Sequence, residues 1–319
     1  MVELSVQIEM AAGLSWERWK RIVANVDRQG YRGLYCCDHF LPSGQGVTDS
    51  IDIYSAFTYL ADHSSRLEFG ALVSPVSFRD PIMLARTALT LDSLSGGRHI
   101  LGVGAGWMER EHVMFGYDLG DKGTRMSRFV EAVKVIDLLV RHDEPVSFAG
   151  RFYHLNEAQM LPRSPRPEGA RLLIGGAGPT RTLPLAARYA NVWNTGGRAP
   201  QQFAETSAHL DELVVKAGRQ PSDLKRTLMQ QVICYRNEAE LGPRLGHLAA
   251  QNPGATPRAL LEGLLSRSPS VIHGTPDQVL EQIRAYGQAG VQEIMIQRLD
   301  LDDLDGLQII AEEVLPKLN

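Results

Sequence analysis

The sequence has few cysteines, three in 319 residues, and it lacks the spacing that would make them a metal or disulfide framework. Cys36 and Cys37 are adjacent in a strand-like run, so their side chains point to opposite faces and do not share a metal. Cys234 stands apart, and there is no CxxC motif. We therefore expect buried, reduced thiols, no metal site and, by default, a cytoplasmic location.

Long hydrophobic runs and basic blocks are also missing. No stretch approaches 18 apolar residues, so no segment is predicted to span a membrane, and the start, Met1-Val2-Glu3-Leu4, does not resemble a signal peptide. The net charge is −4 without any long basic run, so nucleic acid is not an expected partner. Without HExxH, GxSxG or GxGxxG, the chain is not predicted to be a zinc hydrolase, a serine hydrolase or a Rossmann dehydrogenase.

Strand and helix patterns alternate along the whole chain. Strands are predicted at 2–9, 33–39, 67–75, 98–106, 171–175, 191–194, 228–235 and 293–299. Helices are predicted at 16–29, 52–62, 81–94, 125–140, 181–188, 202–217, 276–287 and 304–315, with a glycine-rich loop at 43–46 and a hairpin at 146–155.

This alternation predicts a parallel sheet, because each helix carries the chain back to the start of the next strand. Eight repeats indicate an α/β fold of the (β/α)8 TIM-barrel type, one domain over 1–319 with insertions near 107–123, 145–168 and 238–270. A doubly wound sheet of two halves is the alternative.

In such a barrel the site lies at the carboxyl ends of the strands. His39 is the one histidine predicted at such an end, and its ordinary pKa suits proton exchange near neutral pH. The preceding Asp38 is expected to orient it or raise its pKa. Glu9 and Glu109 follow other strand ends and are further candidate acids.

Glycines mark three further strand ends. Gly102, Gly104 and Gly106 alternate, so one face of that strand has no side chains; either a ligand approaches closely there or the barrel packs tightly. The stretch 175–179, Gly-Gly-Ala-Gly-Pro, runs into a helix, where backbone amides attract phosphate. Together with Thr195-Gly196-Gly197 it predicts an anion cradle.

Several segments resemble one known family. They are 71–81 (ALVSPVSFRDP), 91–98 (LDSLSGGR), 101–107 (LGVGAGW), Asp38-His39, 150–153 (GRFY), 174–179 (IGGAGP) and Trp193-Asn194. In this order they are similar to the luciferase-like monooxygenase family, and its branch dependent on the deazaflavin coenzyme F420 matches best. The resemblance implies a bacterial luciferase-like (β/α)8 barrel that binds FMN or F420 over its mouth.

The resemblance also implies where the cofactor lies. Asp38 and His39 would lie beside the ring, which would rest on a bulge with a cis peptide bond at Ala71-Leu72. Ala105, Gly106 and Trp107 would border the ring and the sugar chain. The phosphate would be bound by two loops, whose residues are Gly176, Ala177, Gly178 and Pro179 in one and Thr195, Gly196 and Gly197 in the other.

One position departs from the family pattern. Trp107 stands where sugar-phosphate dehydrogenases of the family have a proton-donating glutamate, and Glu109 follows two residues later. The tryptophan favours an apolar, aromatic-stacking substrate pocket. We expect His39, Trp107 and Glu109 to be the catalytic group.

We expect a homodimeric oxidoreductase that transfers hydride between F420 and a small organic substrate. The alternatives are an FMN-dependent monooxygenase of the same family and a flavin- or F420-binding protein without turnover.

Overall fold

The computed structural model describes residues 1–42, 44 and 46–318. The strands are β1 Glu3–Ile8, β2 Gly33–Cys36, β3 Glu68–Ala71, β4 Ser74–Pro75, β5 His99–Gly104, β6 Val146–Ala149, β7 His154–Ala158, β8 Arg171–Gly175, β9 Val192–Gly196, β10 Lys225–Cys234, β11 Ile272–Gly274 and β12 Glu293–Arg298. Part of the predicted glycine-rich loop, Ser43 and Gln45, lies outside the described residues.

Most of the helices begin at a capping side chain or a proline. They are α1 Trp16–Arg28, α2 Ile53–His63, α3 Pro81–Ser95, α4 Glu109–Phe115, α5 Lys122–Arg141, α6 Thr182–Tyr189, α7 Pro200–Lys216, α8 Glu238–Arg244, α9 Gly246–Gln251, α10 Pro257–Arg267, α11 Pro276–Gln288 and α12 Leu304–Glu313. The side chains of Ser15, Asp52 and Asp80 accept hydrogen bonds from first-turn amides of α1, α2 and α3. In the described part of the chain, no helix has the length and hydrophobicity to cross a membrane.

Parallel pairing closes the main sheet into a ring. The order is β1-β2-β3-β5-β8-β9-β10-β12, and β12 pairs with β1. Strand β4 pairs with β5 after a break from β3, β11 pairs with β10 outside the ring, and β6 and β7 form a separate antiparallel hairpin. This is the predicted (β/α)8 barrel, and the doubly wound alternative is wrong.

The barrel interior is filled, which leaves its mouth as the place for a site. Inside the ring a cluster of strand side chains packs together, made of Tyr35, Leu72, Val73, Ile100, Leu173, Val192, Met229 and Met295. At the amino end of the strands, Lys225 bridges Glu3 and buried Glu293, while Glu68 pairs with Arg32 and Arg171. These ion pairs close the end opposite the predicted site.

Three segments between the barrel elements have structure of their own. Helix α4 lies within 107–123, the hairpin β6–β7 lies within 145–168, and helices α8, α9 and α10 lie within 238–270. Helix α4 follows β5 directly, so it stands beside the mouth. Its position brings a buried carboxylate, Glu111, to the end of β2.

Candidate functional site

His39 is held at the barrel mouth by Glu111 of helix α4. Its Nδ1 lies 3.0 Å from Glu111 Oε1, and the other carboxylate oxygen accepts the backbone N–H of Phe40 at 3.0 Å. The Phe40 ring in turn packs on Phe115 of the same helix, with ring centroids 4.6 Å apart. One carboxylate thus fixes both the ring and the backbone at this strand end, and leaves His39 Nε2 without a partner among the described residues.

The pKa of His39 is raised above its ordinary value. Burial alone would lower it, because a charged imidazole is poorly solvated inside the protein. The hydrogen bond and the negative charge of Glu111 outweigh that penalty, with smaller contributions from the charges of Glu9 and Asp38. A partly buried imidazole with a raised pKa is a good candidate for proton exchange near neutral pH.

The expectation that Asp38 orients His39 is wrong, because Asp38 is committed elsewhere. Its carboxylate accepts both N–H groups of a bidentate Arg79 contact, at 3.0 and 2.8 Å, and the Ser74 hydroxyl at 2.6 Å. Arg79 also bridges to Asp52, the cap of helix α2. Asp38 therefore ties the end of β2 to β4 and α2, and acts on His39 through its charge alone.

Trp107 and Glu109 lie at the rim of the mouth. The Trp107 side chain is 62% exposed, and its ring meets His39 edge to face with centroids 5.6 Å apart. Glu109 is the first residue of α4 and is exposed. Trp107 thus presents an apolar surface next to the imidazole, while the carboxylate that reaches the imidazole comes from Glu111.

The chain breaks at the bulge between β3 and β4. The structure places the cis peptide bond at Leu72-Val73, so the predicted position, Ala71-Leu72, is wrong by one residue. Ala71 ends β3 and is buried, and Leu72 packs inside the barrel. Because the break moves the chain out of strict alternation, Leu72 and Val73 both reach the interior cluster.

The glycines of β5 and β8 make room for this bulge. A side chain at Gly104 would lie 2.5 Å from Val73, one at Gly175 would lie 3.0 Å from it, and one at Gly102 would collide with the Ala71 carbonyl. Of the two interpretations offered for the alternating glycines, tight packing explains Gly102 and Gly104.

Gly106 has its own reason to be glycine. Its φ is +84°, and a side chain there would collide with Ser77, whose hydroxyl bonds to His112 Nε2 at 2.7 Å. The loop through Ala105 and Gly106 therefore passes close to Ser77, and both residues are half-buried at the rim.

The predicted anion cradle lies at neighbouring strand ends. Strands β8 and β9 pair up to Gly175 and Asn194, so the 176–179 loop and the 195–197 loop lie side by side. Gly176, Gly178 and Pro179 are exposed and Ala177 is half-buried, while Gly196 and Gly197 are exposed next to buried Thr195. The two loops form an open surface rather than a packed turn.

Not every amide of the cradle is free. Gly176 N–H donates to Asn194 O at 2.8 Å and Gly197 N–H to Met229 O at 3.4 Å. In the described residues, the amides of Ala177 and Gly178 have no acceptor, and the start of helix α6 has no side-chain cap. Both amides lie in the loop that leads into helix α6, and free backbone amides in such a loop suit a phosphate.

Arg198 brings a cation to the cradle. Its Nε lies 3.2 Å from Thr195 Oγ1. The sequence analysis predicted neither Arg198 nor Glu111. Arg198 directly follows the Thr-Gly-Gly motif, and this position could have indicated it. Glu111 had no comparable signal, since 71 residues separate it from Phe40 in sequence.

Two cavities open at the mouth. One of about 300 Å³ is lined by Cys37, Asp38, His39, Arg79 and Phe115, among others. The other, of about 370 Å³, is lined by residues that include Gly197, Met229, Gln231, Arg267 and Gln297. A cavity of about 590 Å³ near Tyr235 and His273 borders β11, outside the ring, and contains none of the predicted site residues.

Comparisons with known proteins agree with this architecture. The sequence profile of the luciferase-like monooxygenase family matches residues 4–293. An F420-dependent glucose-6-phosphate dehydrogenase of Amycolatopsis mediterranei is 27% identical, over 91% of this chain and 90% of its own. A 4-hydroxyprotoasukamycin monooxygenase of Streptomyces nodosus subsp. asukaensis is 26% identical, over 96% of this chain and 88% of its own.

The fold is also that of a solved enzyme structure. An F420-dependent secondary alcohol dehydrogenase, in complex with an F420-acetone adduct, superimposes with a TM-score of 0.82 at 20% identity. The match covers 100% of this chain and 99% of that one. At this identity the likeness establishes the fold alone.

Proposed function

Because the chain belongs to the luciferase-like monooxygenase family, we propose that it is an F420-dependent oxidoreductase that transfers a hydride between the deazaflavin ring and a small organic substrate. The observation that carries the proposal is the His39–Glu111 pair at the barrel mouth. Hydride transfer to or from a carbonyl carbon must be accompanied by a proton on the oxygen, and His39 is placed to exchange it.

The residues at the mouth fit an F420 molecule. The phosphate would be held by the free amides of Ala177 and Gly178, with Thr195 and Arg198 beside them. Bound F420 supplies hydride-transfer chemistry, and the protein supplies position and charge.

We assign the remaining predicted residues to the same site. We propose contacts with the deazaflavin ring for Asp38, His39, Ala71, Leu72, Ala105 and Gly106. Besides Ala177, Gly178 and Thr195, we propose phosphate contacts for Gly176, Pro179, Gly196 and Gly197. The proposed roles at the reacting carbon are proton exchange by His39, an apolar wall from Trp107, and a rim carboxylate from Glu109.

The test is a fluorescence titration of the purified protein with F420 and, separately, with FMN. We expect F420 to bind with a Kd in the micromolar range or below, and FMN to bind more weakly. Tighter FMN binding, with oxygen consumed when the bound flavin is reduced, would assign the protein to the monooxygenases instead. The relative named as a monooxygenase is the observation that favours this second candidate.

A third candidate is a cofactor-binding protein without turnover. It predicts tight F420 binding and no hydride exchange with any substrate. Incubation of the F420-loaded protein with a broad panel of alcohols and carbonyl compounds, followed by the F420 absorbance, separates it from an enzyme. His39 is present, and its Nε2 has no partner among the described residues. This favours an enzyme over a binding protein without turnover.

We also propose a cytoplasmic homodimer. The three cysteines are free and buried, as in a reducing compartment. Large apolar side chains are exposed on and beside helix α4, namely Val113, Met114, Phe115 and Tyr117, and they offer a surface for a second copy. Light scattering on a sizing column measures the mass directly, and a single-chain mass would reject the dimer.

A further inference from the structure

Glu9 lies at the barrel mouth, directly after strand β1. Along β1, Leu4, Val6 and Ile8 pack outward into the core shared with the helices. The residues between them therefore face the barrel interior, and Glu9 continues that face just past the strand. Its backbone N–H donates to Arg298 O at the end of β12, so the alternation holds up to this residue.

Three neutral donors hold the Glu9 carboxylate. Cys37 Sγ lies 2.9 Å from Oε2, and the amides of Gln297 and Gln7 lie 2.9 and 3.3 Å from Oε1. Burial, followed by the charge of Glu9, raises the pKa of Cys37, so its thiol stays protonated and donates. The carboxylate is thereby fixed in orientation without being neutralised.

No cation pairs with Glu9 anywhere in the described ranges 1–42, 44 and 46–318. The other two carboxylates at the mouth do have basic partners, because Asp38 pairs with Arg79 and Glu111 pairs with His39. A carboxylate has about four acceptor positions, and three here are taken. Glu9 is half-buried, so one acceptor position remains on a carboxylate that solvent can reach.

Two of the residues that hold Glu9 line the cavities of the mouth. Cys37, which contacts one of its oxygens, lines the cavity of about 300 Å³ that contains His39. Gln297, which contacts the other, lines the cavity of about 370 Å³ next to Gly197. The Glu9 carboxylate therefore lies between a wall residue of one cavity and a wall residue of the other.

We propose that Glu9 contacts the substrate and accepts the hydrogen of an O–H or N–H group on the carbon that exchanges the hydride. This inference rests on the proposed function, and it makes small alcohols and amines the substrate class. In oxidation, the C–H bond would give its hydrogen with both electrons to F420, and the O–H or N–H bond would give its proton to the Glu9 carboxylate. His39, on whose imidazole the charge of Glu9 acts, would then take this proton and exchange it with solvent. A C=O or C=N bond forms; reduction is the reverse.

The first measurement needs no cofactor. Binding of cyclohexanol, cyclohexylamine and methoxycyclohexane to the full chain is followed by ligand-observed NMR. The wild type should prefer the first two, which carry a donor. In Glu9→Gln their binding should fall by on the order of tenfold, with methoxycyclohexane unchanged. The Glu17→Gln variant loses the same charge at an exposed position of α1, and it should bind all three compounds as the wild type does.

The second measurement follows His39. Because the charges of Glu111, Glu9 and Asp38 all act on this imidazole, Glu9→Gln should lower its pKa in an NMR titration, and Glu17→Gln should not. Thermal unfolding checks that each variant is folded. Glu9→Asp keeps the charge but withdraws it by one methylene, and it should also bind the donors more weakly.

Two outcomes overturn the inference. In the first, Glu9→Gln or Glu9→Asp binds cyclohexanol and cyclohexylamine as tightly as the wild type does. In the second, Glu9→Gln loses affinity for methoxycyclohexane as much as for these two donor compounds. The F420 titration is separate from this result. If the wild type fails to bind F420 but Glu9→Gln still loses donor binding selectively, the proposed cofactor is wrong while the role of Glu9 as the donor-binding carboxylate is supported. If F420 binds and donor selectivity is unaffected, only the inference on Glu9 fails.

Discussion

His39 Nδ1 and Glu111 Oε1 lie 3.0 Å apart, although 72 residues separate them in sequence. The pair joins the end of β2 to helix α4, which follows β5. Because Glu111 occupies Nδ1, Nε2 is the nitrogen that remains for proton exchange. Orientation and protonation of the imidazole thus depend on a helix inserted after a different strand.

Replacing Glu111 with glutamine should lower the pKa of His39, because the variant keeps a polar side chain but loses the charge that outweighs burial. The limb of the pH–rate profile assigned to His39 should move to lower pH, and an NMR titration of the imidazole should move with it. Glu109→Gln, on the same helix but exposed, is the matched comparison. An equal shift in both variants would contradict a direct effect of Glu111.

The same pair should affect stability with a defined sign. The pKa of folded His39 is raised, so its contribution is complete below the ordinary pKa of histidine and is lost as pH rises through the raised value. The difference in Tm between wild type and Glu111→Gln should therefore narrow as pH rises through that range. A difference that widens would show that His39 is not the titrating group.

Removing the imidazole in His39→Ala should lower turnover by about 10²- to 10⁴-fold, the usual contribution of general acid–base catalysis. F420 affinity should change much less, because the phosphate cradle is untouched. His39→Asn should restore part of the rate if the role is hydrogen bonding alone. Normal turnover with poor cofactor binding in the alanine variant would make His39 a cofactor-positioning residue.

Gly178→Val should weaken F420 binding while the chain stays folded. A Cβ at Gly178 would lie 3.0 Å from Thr182 Oγ1, at the open start of helix α6. The double variant with Thr182→Ala removes this contact and separates the two causes. If the double variant binds F420 as the wild type does, local crowding was the cause, and the phosphate site lies elsewhere.

Arg198→Ala should weaken F420 binding and also make it less sensitive to salt, because a cation beside the cradle would contribute a screened attraction to phosphate. Titrations at low and high ionic strength measure both effects. Arg219→Ala is a suitable comparison, since Arg219 bonds to the Ala187 and Asp223 carbonyls, away from the two loops. Equal salt dependence in wild type and Arg198→Ala would remove Arg198 from the site.

The alternation of strands and helices was predictable because each element repeats a strong local pattern. The family and the barrel are confirmed, whereas the one-domain organisation stays a prediction. The predicted strand 67–75 is interrupted at Leu72-Val73, which no hydrophobic pattern reveals, since both residues are apolar and both are buried or half-buried. Strand β2 ends at Cys36, before the predicted end at His39, because the chain turns there to meet Arg79 and Glu111.

The individual site residues were less predictable than the fold. Position at a strand end predicted His39, and motif resemblance predicted the two glycine-rich loops; the roles of these residues stay predictions. The partners of His39 and Asp38 come from segments 72 and 41 residues away, and they depend on how α4 and the bulge are placed in space. Because Asp38 precedes His39 in sequence, it was the expected partner that orients the imidazole. In the folded chain, Glu111 makes that contact instead.

The contact of Val73 with Gly104 and Gly175 bears on efforts to alter which molecules this protein accepts. Mutant libraries that target these floor positions would push the bulge out of place, and most members would be lost to misfolding before any selectivity is gained. Diversity is better directed to the rim, where Trp107 and Gln231 border open space. Because packing fixes the floor, we expect changes in selectivity to come from the rim.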